Sequence, residues 1–272
     1  MDKLETLVLR AKEDVYTYLQ GSNFSKILGQ GYDFSELRTY ESSDDIRHIS
    51  WINSAKANEL YVKKMHEERE LLVNVAMLVD GRAIIGKKHE LFSHILATLA
   101  YSAIYSNNLL QTSFFMGSEF KSFEAFKNVE RLEMILNEFF SIDPLGLALE
   151  YDKIQKKLLN IEAPKSLFFL VGDFLDEIDL SILAQKHELC VIMLRDKWEE
   201  NPSVGSDMAL VNPLTNSSIN KTLSKKALRY YKERLEEHDE KLYAHFDEHS
   251  IKHVKIYEKK EAFQKLEQLF YS

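Results

Sequence analysis

The sequence predicts an α/β protein with a three-layer, doubly wound, mostly parallel sheet over residues 71–272, preceded by an extension over residues 1–70. Three observations lead there. Continuous apolar runs that end in aspartate, LLVNVAMLV before Asp80 and SLFFLV before Gly172–Asp173, read as strands buried on both faces. Segments with apolar residues at helical spacing separate these runs, and such alternation builds parallel crossover units. Hydrophobic residues make up 45% of the 272 positions, with 16 Phe and 13 Tyr, enough for a full aromatic-rich core.

The elements follow in order. Leu4, Leu7, Val8, Val15, Tyr18 and Leu19 set a helix over residues 2–20, and a loop with three glycines runs from Gly21 to Phe34. Residues 35–70 are too polar to bury a core alone, so they are expected to lie on the following domain, with a short strand at Leu60–Val62. The first core strand is 71–79. Phe92, Ile95, Leu96, Leu99 and Ala103 then share one face of a helix over 88–106. LLQTSFFM (109–116) reads as the next strand. A helix over 123–140 is expected from Phe126, Val129, Leu132, Leu136 and Phe140. After Pro144 come a helix near 147–160, a strand at 166–171, a short helix at 178–186 and a strand at 187–194. Turn residues over 196–220 suit a small hairpin. A charged helix (222–247), a strand (251–257) and a helix (260–270) complete the pattern.

Composition excludes several classes. Net charge is −8 and the pI about 5.7, which argues against non-specific nucleic-acid binding. With one cysteine, Cys190, no internal disulfide can form, and a cytoplasmic location is expected. The first twenty residues lack the apolar centre of a signal peptide, and the longest apolar runs are far too short to span a bilayer, so no direct membrane insertion is expected. There is no Gly-x-x-x-x-Gly-Lys-Ser/Thr loop and no Gly-x-Ser-x-Gly elbow, and Arg82 stands where an Asp-x-Asp phosphotransferase would carry its second aspartate. His245, His249 and His253 are spaced by four, but the last falls in the strand IKHVKIY, which breaks a helical metal-binding face.

The densest motif lies within residues 29–70. It comprises Gly29 and Gly31, Asp33–Phe34, Leu37–Arg38 with Tyr40, Asp44–Asp45 with Arg47 and Ile49, Trp51, Ser54–Ala55 and the acidic run Glu67 to Glu70. This resembles the bacterial domain-of-unknown-function family fifty-eight, a group of von Willebrand factor A-like proteins associated with MoxR-type AAA+ ATPases. The chain departs from the family pattern at Ser42–Ser43, where Pro-Gly is usual, at Ser50 for an aspartate and at Lys56 for an arginine. Arg38, Asp44, Asp45 and Arg47 mix both signs densely, and an Arg fork suits bidentate pairing with carboxylates. They and Trp51 can be read as pins that fix the extension to the sheet, or as a surface read by a partner, since Trp and Arg dominate interfaces.

The resemblance also implies where to look for a metal. A von Willebrand A-like domain carries Mg²⁺ at the carboxyl edge of its sheet, held by Asp-x-Ser-x-Ser, a Thr and an Asp on three loops. Here the first loop reads Asp80-Gly81-Arg82-Ala83-Ile84, so the aspartate remains while both hydroxyls are replaced. Asp173 stands at the third loop, and Ser118 is the nearest hydroxyl after the second strand. Magnesium wants six oxygens. Asp80 and Asp173 therefore read as a remnant site, with the Arg82 guanidinium expected to replace the metal charge by pairing with one of them. No cofactor is expected.

What the resemblance implies about function is a non-enzymatic, chaperone-like adaptor. It would work beside a MoxR-type AAA+ ATPase on a client protein, through Arg38, Asp44, Asp45, Arg47, Trp51 and Arg82. Two other readings stay open: a metal-dependent hydrolase using Asp80 and Asp173 with carboxylates such as Asp44 and Asp45, and a scaffold that uses no ATPase.

Overall fold

The computed structural model describes residues 34–41, 44, 46, 49–57, 59–65, 71–161, 163–202, 209–220 and 224–271, together with Thr6 and Ala11. Apart from Thr6 and Ala11, the helix expected over 2–20 lies outside these residues, as do residues 21–33 of the glycine loop, Asp45, Arg47 and the acidic run at 67–70.

The central sheet has six strands: β3 (Leu72–Val79), β4 (Leu109–Met116), β5 (Glu119–Phe126), β6 (Leu167–Gly172), β7 (Glu188–Leu194) and β10 (Lys252–Ile256). Their order is β10-β7-β6-β3-β4-β5. All pairs are parallel except β4–β5. This is the α/β class with a mostly parallel central sheet that the sequence predicts.

Period-two alternation divides the sheet's side chains between two cores. Val73, Val75, Met77 and Val79 of β3 face one core, shared with α2 (Lys88–Tyr105), α3 (Val129–Phe140) and α8 (Lys259–Tyr271). Ala76 and Leu78 face the other, against α4 (Tyr151–Leu159), α5 (Ser181–Lys186) and α7 (Lys225–Glu248). Helices on both faces explain why the strands read as unbroken apolar runs. At the amino edge a buried polar chain joins three strands. Asn74 Nδ2 donates to Ser166 Oγ at 2.9 Å, and Ser166 Oγ lies 2.9 Å from His187 Nδ1. Burial pushes the His187 pKa down, so the ring stays neutral there.

Two local expectations are corrected. Residues 123–126 are not helical: they belong to β5, antiparallel to β4, and helix α3 begins at Val129. Phe126 stands three residues before Val129, in phase with the apolar residues of the helix, which carried the helical pattern back into the strand. The strand carries a bulge at its end: Phe123 pairs with Thr112 while Phe126 pairs with Leu110, one residue more than regular register allows. On α3 the buried aromatic is Phe139 rather than Phe140.

Within the extension, β1 (Phe34–Thr39) and β2 (Tyr61–Met65) form an antiparallel pair of their own, joined through α1 (Trp51–Ala57). Its interior is small: Val62 and Ile49 are buried and form an isolated bridge. Ser54 at the centre of α1 accepts the Tyr61 N–H at 2.8 Å, tying helix to strand. A second small hairpin, β8 (Ala209–Asn212) with β9 (Ser217–Asn220), fills the region where the turn residues placed one, after the single-turn helix α6 (Lys197–Glu200).

Candidate functional site

Strand β3 leads to β4 on one side, while β6 lies on its other side, so chain direction across the sheet reverses between β3 and β6. In open α/β sheets the crevice at such a switch point, at the carboxyl ends of the strands, is where ligands bind. Asp80 follows β3 and Asp173 follows β6, so the sheet brings the two carboxylates together there. Both are buried, at 3% and 5% exposure.

Arg82 lies between them. Asp80 caps a 3-10 turn over Gly81–Ile84 by accepting the Arg82 backbone N–H at 2.8 Å. That turn brings the Arg82 side chain back over the capping carboxylate. Its Nε donates to Asp80 Oδ2 at 2.9 Å and stands 3.1 Å from Asp173 Oδ2, while Nη2 reaches Asp80 and, at 2.6 Å, Asp176. Pairing with one aspartate was expected, and the guanidinium serves three. Burial works against its charge, but Asp173 and Asp80 outweigh this and hold its pKa above the ordinary guanidinium value. Burial raises the Asp80 pKa; the Arg82 hydrogen bond opposes the rise, and the Asp173 charge adds to it.

Three further groups complete the centre. Lys88 at the start of α2 is 2% exposed, pairs with Glu199 of α6 at 2.7 Å and lies 3.7 Å from Asp173 Oδ2. Burial raises the Glu199 pKa, with Lys88 opposing the rise. Glu199 also completes a capping box with Asp196, accepting the Asp196 N–H at 2.9 Å. The Tyr151 hydroxyl is buried without a hydrogen-bond partner among the described residues, and burial, then the Asp173 charge, pushes its pKa well up. Sequence reading missed Lys88, Asp176, Glu199 and Tyr151. Asp176 alone left a trace, lying three residues beyond Asp173; the others come from helices whose approach is set by packing.

The edge is closed from outside. The Gly81 N–H donates to Leu147 O and the Gly146 N–H to Pro213 O, both at 2.8 Å. A Cβ at Gly81 would stand 1.9 Å from Pro213 O, so only glycine lets the β8–β9 turn seat on this loop. Phe174, directly after Asp173, has φ of 50°, a left-handed conformation uncommon for a non-glycine residue.

These residues do not fit the magnesium that the sequence resemblance implies. Asp80 and Asp173 already share one guanidinium, Ile84 replaces a ligating hydroxyl, and Ser118 is exposed in the β4–β5 turn. Among the described residues no three His, Cys, Asp or Glu side chains are placed to hold a metal ion together. His245 Nε2 accepts the Leu180 N–H at 3.1 Å, and His253 stacks on Tyr243.

The extension's residues form a separate cluster. Arg38 Nη2 pairs with Asp44, whose other oxygen accepts the Glu41 N–H at 2.8 Å. That backbone hydrogen bond, then Arg38, holds the Asp44 carboxyl below its usual range. Trp51 is 66% exposed and Ile52 beside it 74%, so Trp51 is not the buried anchor that the pinning reading required. Asp45 and Arg47 lie outside the described residues.

A model of the family described as "Protein of unknown function DUF58" matches residues 36–241. The chain is similar to the uncharacterized proteins Rv1480 of Mycobacterium tuberculosis (strain H37Rv) and Mb1516 of Mycobacterium bovis. Each is 24% identical over 213 residues, covering 74% of this chain and 67% of the relative. Similar solved structures include the conserved hypothetical protein BatB from Bacteroides thetaiotaomicron, with a TM-score of 0.44 and 11% identity over 74% of this chain and 100% of that one. Another is an aerotolerance-related membrane protein from Bacteroides fragilis, with a TM-score of 0.43 and 10% identity over 74% and 98%. Among the described residues no helix is long and apolar enough to cross a membrane.

Proposed function

Because the chain belongs to the DUF58 family, whose model matches residues 36–241, we propose that it acts as a non-enzymatic docking adaptor. Its partner is a MoxR-type AAA+ ATPase, and together they serve the maturation or assembly of a client complex in the cytoplasm. The partner comes from the family resemblance of the 29–70 motif.

The observation that carries the non-enzymatic part is the Arg82 fork. A hydrolase built on Asp80 and Asp173 needs those carboxylates free to hold a metal or take a proton. Here a fixed internal cation spends their charge on each other's neighbourhood, joined by Lys88 and Glu199. Such a closed and internally paired centre suits a structural role rather than a catalytic one. The exposed Trp51 and the Arg38–Asp44 pair provide residue types that dominate protein interfaces.

The test uses the purified chain and the purified MoxR-type ATPase from the same organism, with and without ATP. Capture in at least one nucleotide state is expected. It should weaken on Trp51→Ala, at a position 66% exposed, while stability stays within about 0.5 kcal/mol of the parent, as for surface substitutions. The melt of the parent should not respond to millimolar Mg²⁺. Absence of capture in every state would sink the ATPase partnership. Metal-dependent hydrolysis abolished by Asp80→Asn would replace the adaptor with an enzyme.

A further inference from the structure

Beside Arg82 the surface opens into a groove of about 610 Å³, floored by Leu175, Leu228 and Leu235 and flanked by Trp198 and Tyr231, with Arg234 also on its lining. We infer that this groove docks an acidic, amphipathic segment of a partner protein, its apolar side chains on the floor and its carboxylates toward the basic half of α7. The inference deepens the docking reading above and rests on it.

The first argument is the stripe on α7. Leu228, Tyr231 and Leu235 recur at spacings of three and four, and Leu242 continues the same face with Phe246. Leu242 and Phe246 are buried in the sheet's second core, at 5% and 0% exposure. One apolar stripe therefore runs along the helix, covered in its second half and open over the groove in its first. Tyr231 and Trp198 are both 40% exposed, and Tyr230 is 62% exposed. The capping box between Asp196 and Glu199 fixes the backbone at Trp198, so its ring is presented from a rigid turn. Rigid Trp and Tyr with Arg at the edge are the composition of an interface centre.

The second argument is charge. The chain is acidic overall, yet residues 225–234 carry Lys225, Lys226, Arg229, Lys232 and Arg234 against Glu233 alone. Residues 236–248 reverse this, with Glu236, Glu237, Asp239, Glu240, Asp247 and Glu248 against Lys241. The order opposes the helix dipole, which favours acidic residues at the amino end; the first turn has none. Helix stability does not account for that arrangement, and attraction of an acidic partner does. On the lining Arg82 is bound to Asp80, Asp173 and Asp176 and Glu199 to Lys88, so the lining's charge toward a partner is that of Arg234, which has no ion pair among the described residues. An aliphatic floor favours apolar side chains over nucleobases, which stack on aromatic platforms along a basic track.

Trp198 reports binding directly once Trp51, the other tryptophan, is changed to Phe. The probe is a short synthetic helix with Leu and Phe on one face and Glu on the other. A saturable change in Trp198 emission is expected, weakening as salt rises. Tyr231→Ala and Leu228→Glu should each weaken binding by about tenfold or more, and Arg234→Glu should reverse the preference toward a Lys-bearing version of the probe. Met134→Glu on α3, at a position 72% exposed, should change nothing. Equal or tighter binding of the Lys-bearing probe by the parent overturns the inference, as does displacement of the acidic probe by a single-stranded oligonucleotide. So does a dimer of the parent that Leu228→Glu converts to monomer, since the occupant is then a second copy. ATPase capture without probe binding sinks the groove alone, and probe binding without ATPase capture sinks only the ATPase reading.

Discussion

Replacing Arg82 by alanine removes the side chain that, among the described residues, bridges Asp80 and Asp173. The two carboxylates, 3% and 5% exposed, would then be left with Lys88 as the nearby cation among the described residues, 3.7 Å from Asp173 and committed to Glu199. Removing one partner of a buried ion pair costs about 3–5 kcal/mol, because the remaining charge is left uncompensated. The bond to Asp176 adds little, as that aspartate's side chain is 52% exposed and screened by water. For a chain of this size the loss corresponds to a fall in Tm of about 10 °C. The pH dependence is the sharper test. The Asp80 pKa already lies above 3.8 in the parent, and the Arg82 hydrogen bond that opposes the rise is lost in the variant, so it climbs further. A carboxyl with a raised folded pKa binds its proton more readily folded than unfolded, so the penalty is full above that raised value. It shrinks as pH falls through it toward 3.8. Melts followed by circular dichroism should show the gap between variant and parent narrowing on acidification. Asp80→Asn in the Arg82→Ala background should recover part of the loss at neutral pH. A variant that melts within about 2 °C of the parent at neutral pH, or a gap that ignores pH, refutes the bridging role.

Gly81→Ala should cost about 1–3 kcal/mol, as overpacking does, since its Cβ would stand 1.9 Å from Pro213 O; an unchanged melt means the β8–β9 turn is not seated on that loop. Burial depresses the His187 pKa below 6.5, so its neutral form stabilises the fold above 6.5 and that contribution is lost as pH falls through the lowered value. The acid limb of the stability profile should therefore flatten in His187→Gln, measured by urea unfolding at a series of pH values. Burial pushes the Cys190 thiol up to about 12, so a thiol reagent should label it only on unfolding, and rapid labelling of the native protein would contradict its burial.

Much of this was legible in the residues because parallel strands buried on both faces have no polar alternation to confuse them. The runs ending at Val79 and Gly172 marked β3 and β6, and the aspartates that follow them marked the site before any geometry was known. Arg82 was legible too, two residues after Asp80 where a hydroxyl would serve a metal. Phe126 misled because it closes β5 three residues before Val129, in phase with the apolar face of the helix that follows. Trp51 could not be placed, since an exposed and a buried tryptophan look alike in one sequence. Local chemistry thus set the element types, the core and the altered metal loop. Only the packed structure brought Lys88, Tyr151, Asp176 and Glu199 to one point and left the first half of the α7 stripe open. Those facts depend on how helices distant in sequence approach the sheet, and periodicity carries no record of that.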